Sequence, residues 1–170
     1  AVMSLLAVVS TAYSLAKSYK ADALSAALLA FGCLLMLYSP SEKDWALPFP
    51  FLGAQGLFVA LFTALVSTEI FVRLAGNPKL VIRMPEGVPP AVAKSFAALI
   101  PSIVVLVIFG LFKCLLVTVG VTNLHDVIFR MIQAPISGLA DQLGSAVLVA
   151  FLVHMLWFFG LHGTNILGPL

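Results

Sequence analysis

The chain alternates between long apolar stretches and short polar connectors. The apolar runs cover residues 2–16, 23–38, 53–71, 100–120 and 146–161. Continuous apolar runs of this length, without the two-residue alternation of a half-buried strand, are typical of membrane-embedded helices. Several runs extend over only roughly 24 Å as helices, short of a hydrocarbon core of about 30 Å. Helices that are broken or re-entrant in a transporter explain this length, and so do spans that are truncated or frayed at polar ends.

The connectors differ in charge and in proline content. Residues 17–22 form a short polar turn, residues 39–50 combine prolines with acidic residues, and residues 73–90 form a long, basic, proline-rich segment. A strand-like run lies at residues 80–82 within the long segment. Because basic residues concentrate in cytoplasmic loops, residues 73–94 favour a cytoplasmic position and residues 39–50 an external one.

One connector ends in a segment with the spacing of an amphipathic helix. Pro89 and Pro90 favour a helix start, and Val92, Phe96 and Leu99 then fall on one stripe. We expect a separate helix here, lying at the membrane interface.

A second amphipathic segment has a clearer start. Asn123 is a favourable N-cap, and apolar residues recur at positions 124, 127, 128, 131 and 132. Asp126 and Arg130 lie four residues apart on the polar side, and Pro135 is expected to end the helix. Such helices lie along the membrane surface or brace neighbouring spans, and simple connectors packed on the protein are the alternative.

Composition supports membrane insertion. The 170 residues are 62% hydrophobic and 9% charged, with a mean hydropathy of +1.13, whereas about a quarter of the residues of a soluble domain are charged. We therefore predict an all-α integral membrane protein with about five membrane-embedded helices plus amphipathic interfacial helices. The net charge of +2 and the scattered basic residues argue against a nucleic-acid partner. Because both ends of the sequence lie in or beside apolar segments, we expect a fragment of a larger transporter.

The segment WFFGLHGTN at 157–165 holds the strongest candidate for chemistry. An ionisable side chain at membrane depth costs roughly 2.5 kcal/mol or more unless it faces a polar cavity or a partner. The glycines on either side of His162 favour backbone that leaves the helix, which is tolerated only in a cavity or inside protein. We therefore expect His162 to hydrogen-bond a polar, uncharged solute. A histidine that caps carbonyls at a helix end is the alternative.

Three neighbours of His162 complete the predicted substrate site. Trp157 offers a flat apolar face and an indole N–H donor, although a tryptophan near a span end is more often an interfacial anchor. Asn165 carries a donor and an acceptor that suit sugar hydroxyls, and a turn role is the equal alternative. Gly163 is included because it borders His162.

Other polar residues are assigned structural roles. His154 is expected to pack and to bond a neighbouring helix, because no acidic or sulfur ligand accompanies the histidines at a metal-binding spacing. Glu69 is expected to pair with Arg73, with a transport role as the less favoured alternative. His125 is expected to be solvated. We expect no metal and no cofactor, and the sequence has neither a phosphate-binding glycine loop nor a nucleophile beside a matched base.

Three motifs resemble signatures of one transporter family. They are WFFGLHG at 157–163, MPEGVPPAVAKSF at 84–96 and GAQGLFVA at 53–60. These motifs resemble the membrane-spanning IIC (permease) subunits of bacterial phosphoenolpyruvate-dependent sugar phosphotransferase systems, of the lactose/cellobiose/diacetylchitobiose branch. They cover most of the chain in the order expected for that branch.

The resemblance implies a function. Such subunits are multi-pass proteins of the bacterial inner (plasma) membrane that bind a disaccharide, carry it inward and present its 6-hydroxyl group to a phosphorylated IIB partner. By analogy, His162 would bond the sugar near that hydroxyl and Trp157 would pack against the sugar. The family's partner glutamate belongs to a part of the subunit that follows this chain, and Glu69 does not take its place.

The resemblance also implies a domain organisation and a homodimer. Residues 1–76 would be the later part of the dimerisation (scaffold) half, residues 77–100 a basic linker with an amphipathic helix, and residues 101–170 the start of the substrate-transport half. We therefore expect a fragment of a permease for a β-linked disaccharide of the diacetylchitobiose or cellobiose type. It would be a membrane component of a phosphotransferase complex without complete catalytic machinery of its own. An ion-coupled secondary transporter of a polar solute and a non-transporting membrane scaffold are the alternatives.

Overall fold

A computed structural model describes residues 2–39, 49–82, 84–85, 87–137, 143–158 and 163. In these ranges the chain forms helices and turns without strands, so the all-α class is confirmed for the described residues. The helices are α1 (Met3–Ser18), α2 (Ala23–Leu37), α3 (Phe49–Leu52), α4 (Leu57–Ala75), α5 (Pro90–Thr118), α6 (Leu124–Ser137) and α7 (Leu143–Phe158). A 3₁₀ turn at Ala54–Gly56 precedes α4. Residues 80 and 81 form a bend and residue 82 has no regular structure, so the strand-like prediction is wrong.

Small residues allow α1, α2 and α4 to pack closely against one another. The buried face of α1 repeats every four residues, through Ser4, Val8, Ala12 and Ala16. The buried face of α4 is similarly small and includes Ala60, Ala64 and Ser67, while α2 contributes Ala26, Ala30 and Cys33. Small side chains at helix interfaces let backbones approach, which is the usual packing solution in membranes.

Helix α5 is continuous from Pro90 to Thr118 and packs on α2 and α4. The start at the two prolines is confirmed, but the separate amphipathic helix predicted before residue 100 is wrong, because that segment is the first part of α5. Pro101 lies buried inside the helix. A proline there removes one backbone hydrogen bond, and the packed apolar residues around it keep the helix intact.

Two of the described helices, α4 and α5, are long and apolar enough to cross a membrane. With 19 and 29 residues, they extend over about 28 Å and about 43 Å. Large apolar side chains remain exposed along α5, including Val107, Leu111 and Leu115. A continuous exposed apolar surface of this kind suits contact with lipid.

The helices bring their termini to two chemically different ends. The turn between α1 and α2, the end of α4 and the start of α5 line one cleft. We call this the basic end, since its described cations are Lys17, Lys20, Arg73, Lys79 and Lys94. At the opposite end, Tyr38, Phe51 and His125 are connected by ring contacts and a hydrogen bond. Lys113 lies at the same end and donates to the carbonyl oxygen of Leu37, next to Tyr38.

Candidate functional site

Helix α7 carries the first residue of the predicted site. Trp157 lies in its last turn and is half exposed. In the same helix, Leu152, Val153 and Leu156 pack against Leu57, the first residue of α4. These contacts hold α7 on the bundle, and Trp157 lies half exposed one turn after Val153.

Gly163 lies against the backbone of α7. A Cβ atom at this position would come within 2.5 Å of the Val153 carbonyl oxygen and 2.8 Å of its Cα atom. If α7 continued to residue 163, ten residues would separate the two positions by roughly 15 Å. Gly163 thus lies beside α7 and near the turn that carries Trp157, and a larger residue would collide with the backbone there.

The other two predicted site residues, His162 and Asn165, lie outside the described residues, and their roles stay predictions. The structure therefore brings Trp157 and Gly163 to the same part of α7. Within the described ranges, no three histidine, cysteine, aspartate or glutamate side chains come together as metal ligands. The described part of the site offers an aromatic face and closely packed backbone.

The structural roles predicted for His154 and Glu69 have different outcomes. The Nδ1 atom of His154 donates to the carbonyl oxygen of Ala150 in its own helix, at 2.7 Å, and the residue is exposed, so for the described residues the predicted packing and bond to a neighbouring helix are wrong. Its helical turn supplies the acceptor instead. The pairing of Glu69 with Arg73 is confirmed, with an Nη2 to Oε1 distance of 2.7 Å on the surface of α4.

His125 is fully buried, so the prediction that it is solvated is wrong. Its ring stacks on Tyr38, with centroids 4.4 Å apart and planes 9° from parallel, and also contacts Phe51 at 5.2 Å. The expected cap is confirmed, since the backbone N–H of His125 donates to Asn123 Oδ1 at 3.2 Å. The helix does not stop at Pro135, however, and continues to Ser137.

The environment of His125 keeps its ring neutral. Burial, assisted by the positive charge of Lys113, lowers the pKa of His125 to about 4. Neither ring nitrogen has a hydrogen-bond partner among the described residues. The ring therefore acts as an aromatic packing element at the opposite end, and sequence reasoning missed it because Tyr38 and Phe51 come from distant positions.

Tyr38 and Ser4 donate to backbone carbonyls beneath this ring. The Tyr38 hydroxyl donates to the carbonyl oxygen of Phe51 at 2.8 Å, and the Ser4 hydroxyl donates to that of Leu52 at 2.7 Å. A Cβ atom on Gly56 would lie 1.8 Å from the same Phe51 oxygen. Packing therefore explains the second glycine of the GAQG segment, because this residue closely approaches a hydrogen-bonded carbonyl oxygen.

Lys113 joins three elements at the same end. Its ammonium group donates to the Leu37 carbonyl oxygen at 3.2 Å, the Ser39 hydroxyl at 2.6 Å and the Thr122 carbonyl oxygen at 3.3 Å. The Ser39 hydroxyl also donates to the Thr122 carbonyl. A lysine within the apolar run at 100–120 was the only sequence signal for this contact, which fixes the ends of α2 and α5 beside the start of α6.

Comparison with known proteins gives a family. Residues 1–170 match the sequence profile described as Phosphotransferase system, EIIC. The chain is 40% identical to the oligo-beta-mannoside-specific EIIC component of Bacillus subtilis, over 98% of this chain and 39% of that protein. It is 35% identical to the cellobiose-specific EIIC component of Geobacillus stearothermophilus, over 98% of this chain and 40% of that protein.

A solved structure has the same fold over the same region. The crystal structure of the IIC component from the N,N'-diacetylchitobiose-specific phosphotransferase system superposes with a TM-score of 0.71 at 37% identity, and the match covers 98% of this chain and 41% of that one. The chain thus spans about two fifths of the length of these relatives. The matches confirm the resemblance carried by the three motifs: the chain belongs to the EIIC family, the integral membrane components of sugar phosphotransferase systems.

Proposed function

We propose that the protein carrying this chain is a sugar permease that binds a β-linked disaccharide of the diacetylchitobiose or cellobiose type. It translocates the sugar and presents it to a phosphorylated IIB partner. The observation that carries the proposal is family membership at substantial identity. The relatives described above are named for oligo-β-mannoside, cellobiose and diacetylchitobiose.

The sugar would bind beside the last turn of α7. The indole of the half-exposed Trp157 suits the apolar face of a pyranose ring, and Gly163 lies against Val153, one turn before Trp157. His162 would bond a sugar hydroxyl and Asn165 would supply a further donor and acceptor. This assignment combines the described geometry with the roles that the WFFGLHG motif implies.

The proposed architecture follows the domain boundaries given by the motifs. Residues 1–76 are the later part of a dimerisation half, residues 77–100 link the halves, and residues 101–170 begin the transport half of a homodimer. We place about five membrane-embedded helices in a bacterial inner membrane, as part of a longer multi-pass permease. The basic end faces the cytoplasm, because its five described cations exceed its described acids, Asp22 and Glu69.

Sugar binding by the purified protein tests the site. We expect His162→Ala to weaken binding of diacetylchitobiose and cellobiose by about 5-fold to 150-fold, since a lost hydrogen bond with a buried partner costs about 1–3 kcal/mol. Gly163→Ala should also weaken binding, because its Cβ would displace the chain from Val153. His154→Leu and Gly144→Ala are the matched controls, and both should bind as the wild type does.

Uptake in cells tests the reaction. We expect sugar uptake to require a phosphorylated IIB protein and the intracellular product to be a sugar phosphate. Uptake that depends on an ion gradient without IIB would instead support a secondary transporter, and no binding of either sugar would support a scaffold. Equal binding by the wild type and His162→Ala would exclude the proposed site while leaving the permease function standing.

A further inference from the structure

A cleft of about 370 Å³ opens at the basic end. It lies between the α1–α2 turn, the end of α4 and the start of α5. Its wall is apolar where Val72, Ala75 and Val81 line it, and all three are partly exposed. The cleft therefore combines an apolar interior with the most basic part of the described chain.

Two lysines and one carboxylate supply the charges of the cleft. Lys20 and Lys94 both line it, and neither forms an ion pair with any residue that the structure describes. Asp22 also lines the cleft, but its carboxylate caps α2, accepting the Ser25 hydroxyl at 2.6 Å and the Ser25 N–H at 3.5 Å. The two ammonium groups are thus available to an anion, while the carboxylate already has donors.

The backbone of Lys20 gives a second, independent observation. Its φ angle of 57° lies in the left-handed region, which residues with a Cβ disfavour. The turn has the hydrogen bonds of a Schellman motif, from the Lys20 N–H to Lys17 and from the Ala21 N–H to Ala16. The equivalent turn at the end of α5 has Gly120, with a φ angle of 87°. A lysine therefore occupies a position where glycine fits better, and it lines the cleft.

We propose that this cleft binds the phosphate headgroup of an anionic phospholipid. Lys20 and Lys94 contact the phosphate, and the apolar wall formed by Val72, Ala75 and Val81 contacts the upper part of an acyl chain. Basic pockets between membrane helices recognise such headgroups. A free phosphate ion would use the two ammonium groups but leave the apolar wall without a ligand, so the lipid matches more of the cleft. The inference needs only the membrane location of the family and is independent of the sugar.

Lipid-dependent stability of the purified protein that carries this chain tests the proposal. Its thermal unfolding midpoint is measured in a neutral detergent during separate titrations with dioleoylphosphatidylglycerol, dioleoylphosphatidylcholine and inorganic phosphate. We expect phosphatidylglycerol alone to raise the midpoint in a saturable way. Lys20→Gly and Lys94→Gln should each raise the half-saturating concentration about fivefold, the factor that corresponds to about 1 kcal/mol per basic residue.

Lys17→Gln is the matched control, because Lys17 is exposed at the same end but does not line the cleft. It should leave the half-saturating concentration within about twofold of the wild type. Lys20→Gly should also fold, since glycine relieves the left-handed backbone, and Lys94→Gln tests the site without touching that turn. An equal loss in Lys17→Gln would overturn the proposal in favour of a diffuse charge effect. Equal stabilisation by phosphatidylcholine would exclude headgroup recognition, and equal stabilisation by inorganic phosphate would exclude the lipid.

Discussion

At the scale of single residues, the carbonyl oxygen of Phe51 explains why position 56 is a glycine, because it leaves no room for a Cβ atom there. The Phe51 carbonyl oxygen accepts the Tyr38 hydroxyl at 2.8 Å, so it cannot move away from an added Cβ without breaking that bond. We expect Gly56→Ala to lower the free energy of unfolding by about 1–3 kcal/mol or more, as overpacking does. Thermal unfolding in detergent measures the change.

Gly144→Ala is the control for that substitution. An added Cβ at Gly144 meets no atom within 4 Å, and the residue lies in the first turn of α7. Alanine favours a helix over glycine by roughly 0.5–1 kcal/mol, so this variant should be as stable as the wild type or slightly more stable. A Gly56→Ala protein with an unchanged midpoint would contradict the packing argument.

His125 should make the free energy of unfolding depend on pH. Its pKa is about 4 in the folded protein and 6.5 as an exposed histidine, so protons bind more readily to the unfolded state. The contribution of this group to the free energy of unfolding should therefore be constant above about pH 6.5 and fall as the pH decreases toward 4. The total loss from this group is about 3 kcal/mol. Unfolding midpoints measured across this pH range test the expectation.

His125→Phe separates this effect from other acid-sensitive groups. A phenyl ring keeps the aromatic contacts to Tyr38 and Phe51, and neither nitrogen that it replaces has a described partner. We expect the variant to fold and to lose less stability than the wild type between neutral pH and pH 5 or so. An identical pH dependence in both proteins would show that the acid sensitivity comes from elsewhere.

At the scale of helices, the apolar runs predicted the positions of α1 and α2 well. The residue expected to end a helix was predicted poorly. The runs at 2–16 and 23–38 became α1 and α2 with ends shifted by no more than two residues. Pro135, which was expected to end α6, lies inside that helix. Helix α5 likewise continues through the buried Pro101, although a proline removes one backbone hydrogen bond. In α5, the contacts with α2 and α4, which the sequence does not display, outweigh this local preference.

In the candidate site, too, the sequence predicted some residues, while the reasons for them are contacts that exist only in the folded chain. The WFFGLHG motif identified Trp157 and Gly163, but the reason for the glycine is its approach to Val153, a contact that exists only once the chain lies beside α7. His125 is the converse case. Its burial depends on rings from α3 and from the end of α2, so the amphipathic pattern of α6 alone did not reveal it.

Lys113 offers a test of how α6 is held. Lys113→Met removes the donor shared by Leu37, Ser39 and Thr122, leaving carbonyl oxygens with fewer partners. We expect a loss of about 1–3 kcal/mol in the free energy of unfolding and faster amide hydrogen exchange at the start of α6. Lys17→Met, at an exposed position of α1, is the control and should change neither. Unchanged exchange at residues 124–128 in Lys113→Met would show that this lysine does not fix α6.

At the scale of the whole molecule, folding concentrates charges that are separated in sequence. Residues 73–94 are basic in the sequence alone, and the α1–α2 turn adds Lys17 and Lys20 to the same end. Helix α5 starts at this end and, over about 43 Å, reaches the opposite end near Tyr38 and His125. The fold therefore strengthens the charge asymmetry that orients helices in a membrane.

That asymmetry predicts which ends are accessible from each side of the membrane. We expect a cysteine in place of Val119, which is 73% exposed beyond α5, to react with a membrane-impermeant maleimide in intact cells. A cysteine in place of Gly76, where an added Cβ meets only ordinary contacts at 3.5 Å or more, should react only after permeabilisation. Both variants need Cys33→Ala and Cys114→Ser, which remove the two thiols of this chain. Labelling of the Gly76 variant in intact cells, with the Val119 variant protected, would reverse the orientation and place the basic end outside.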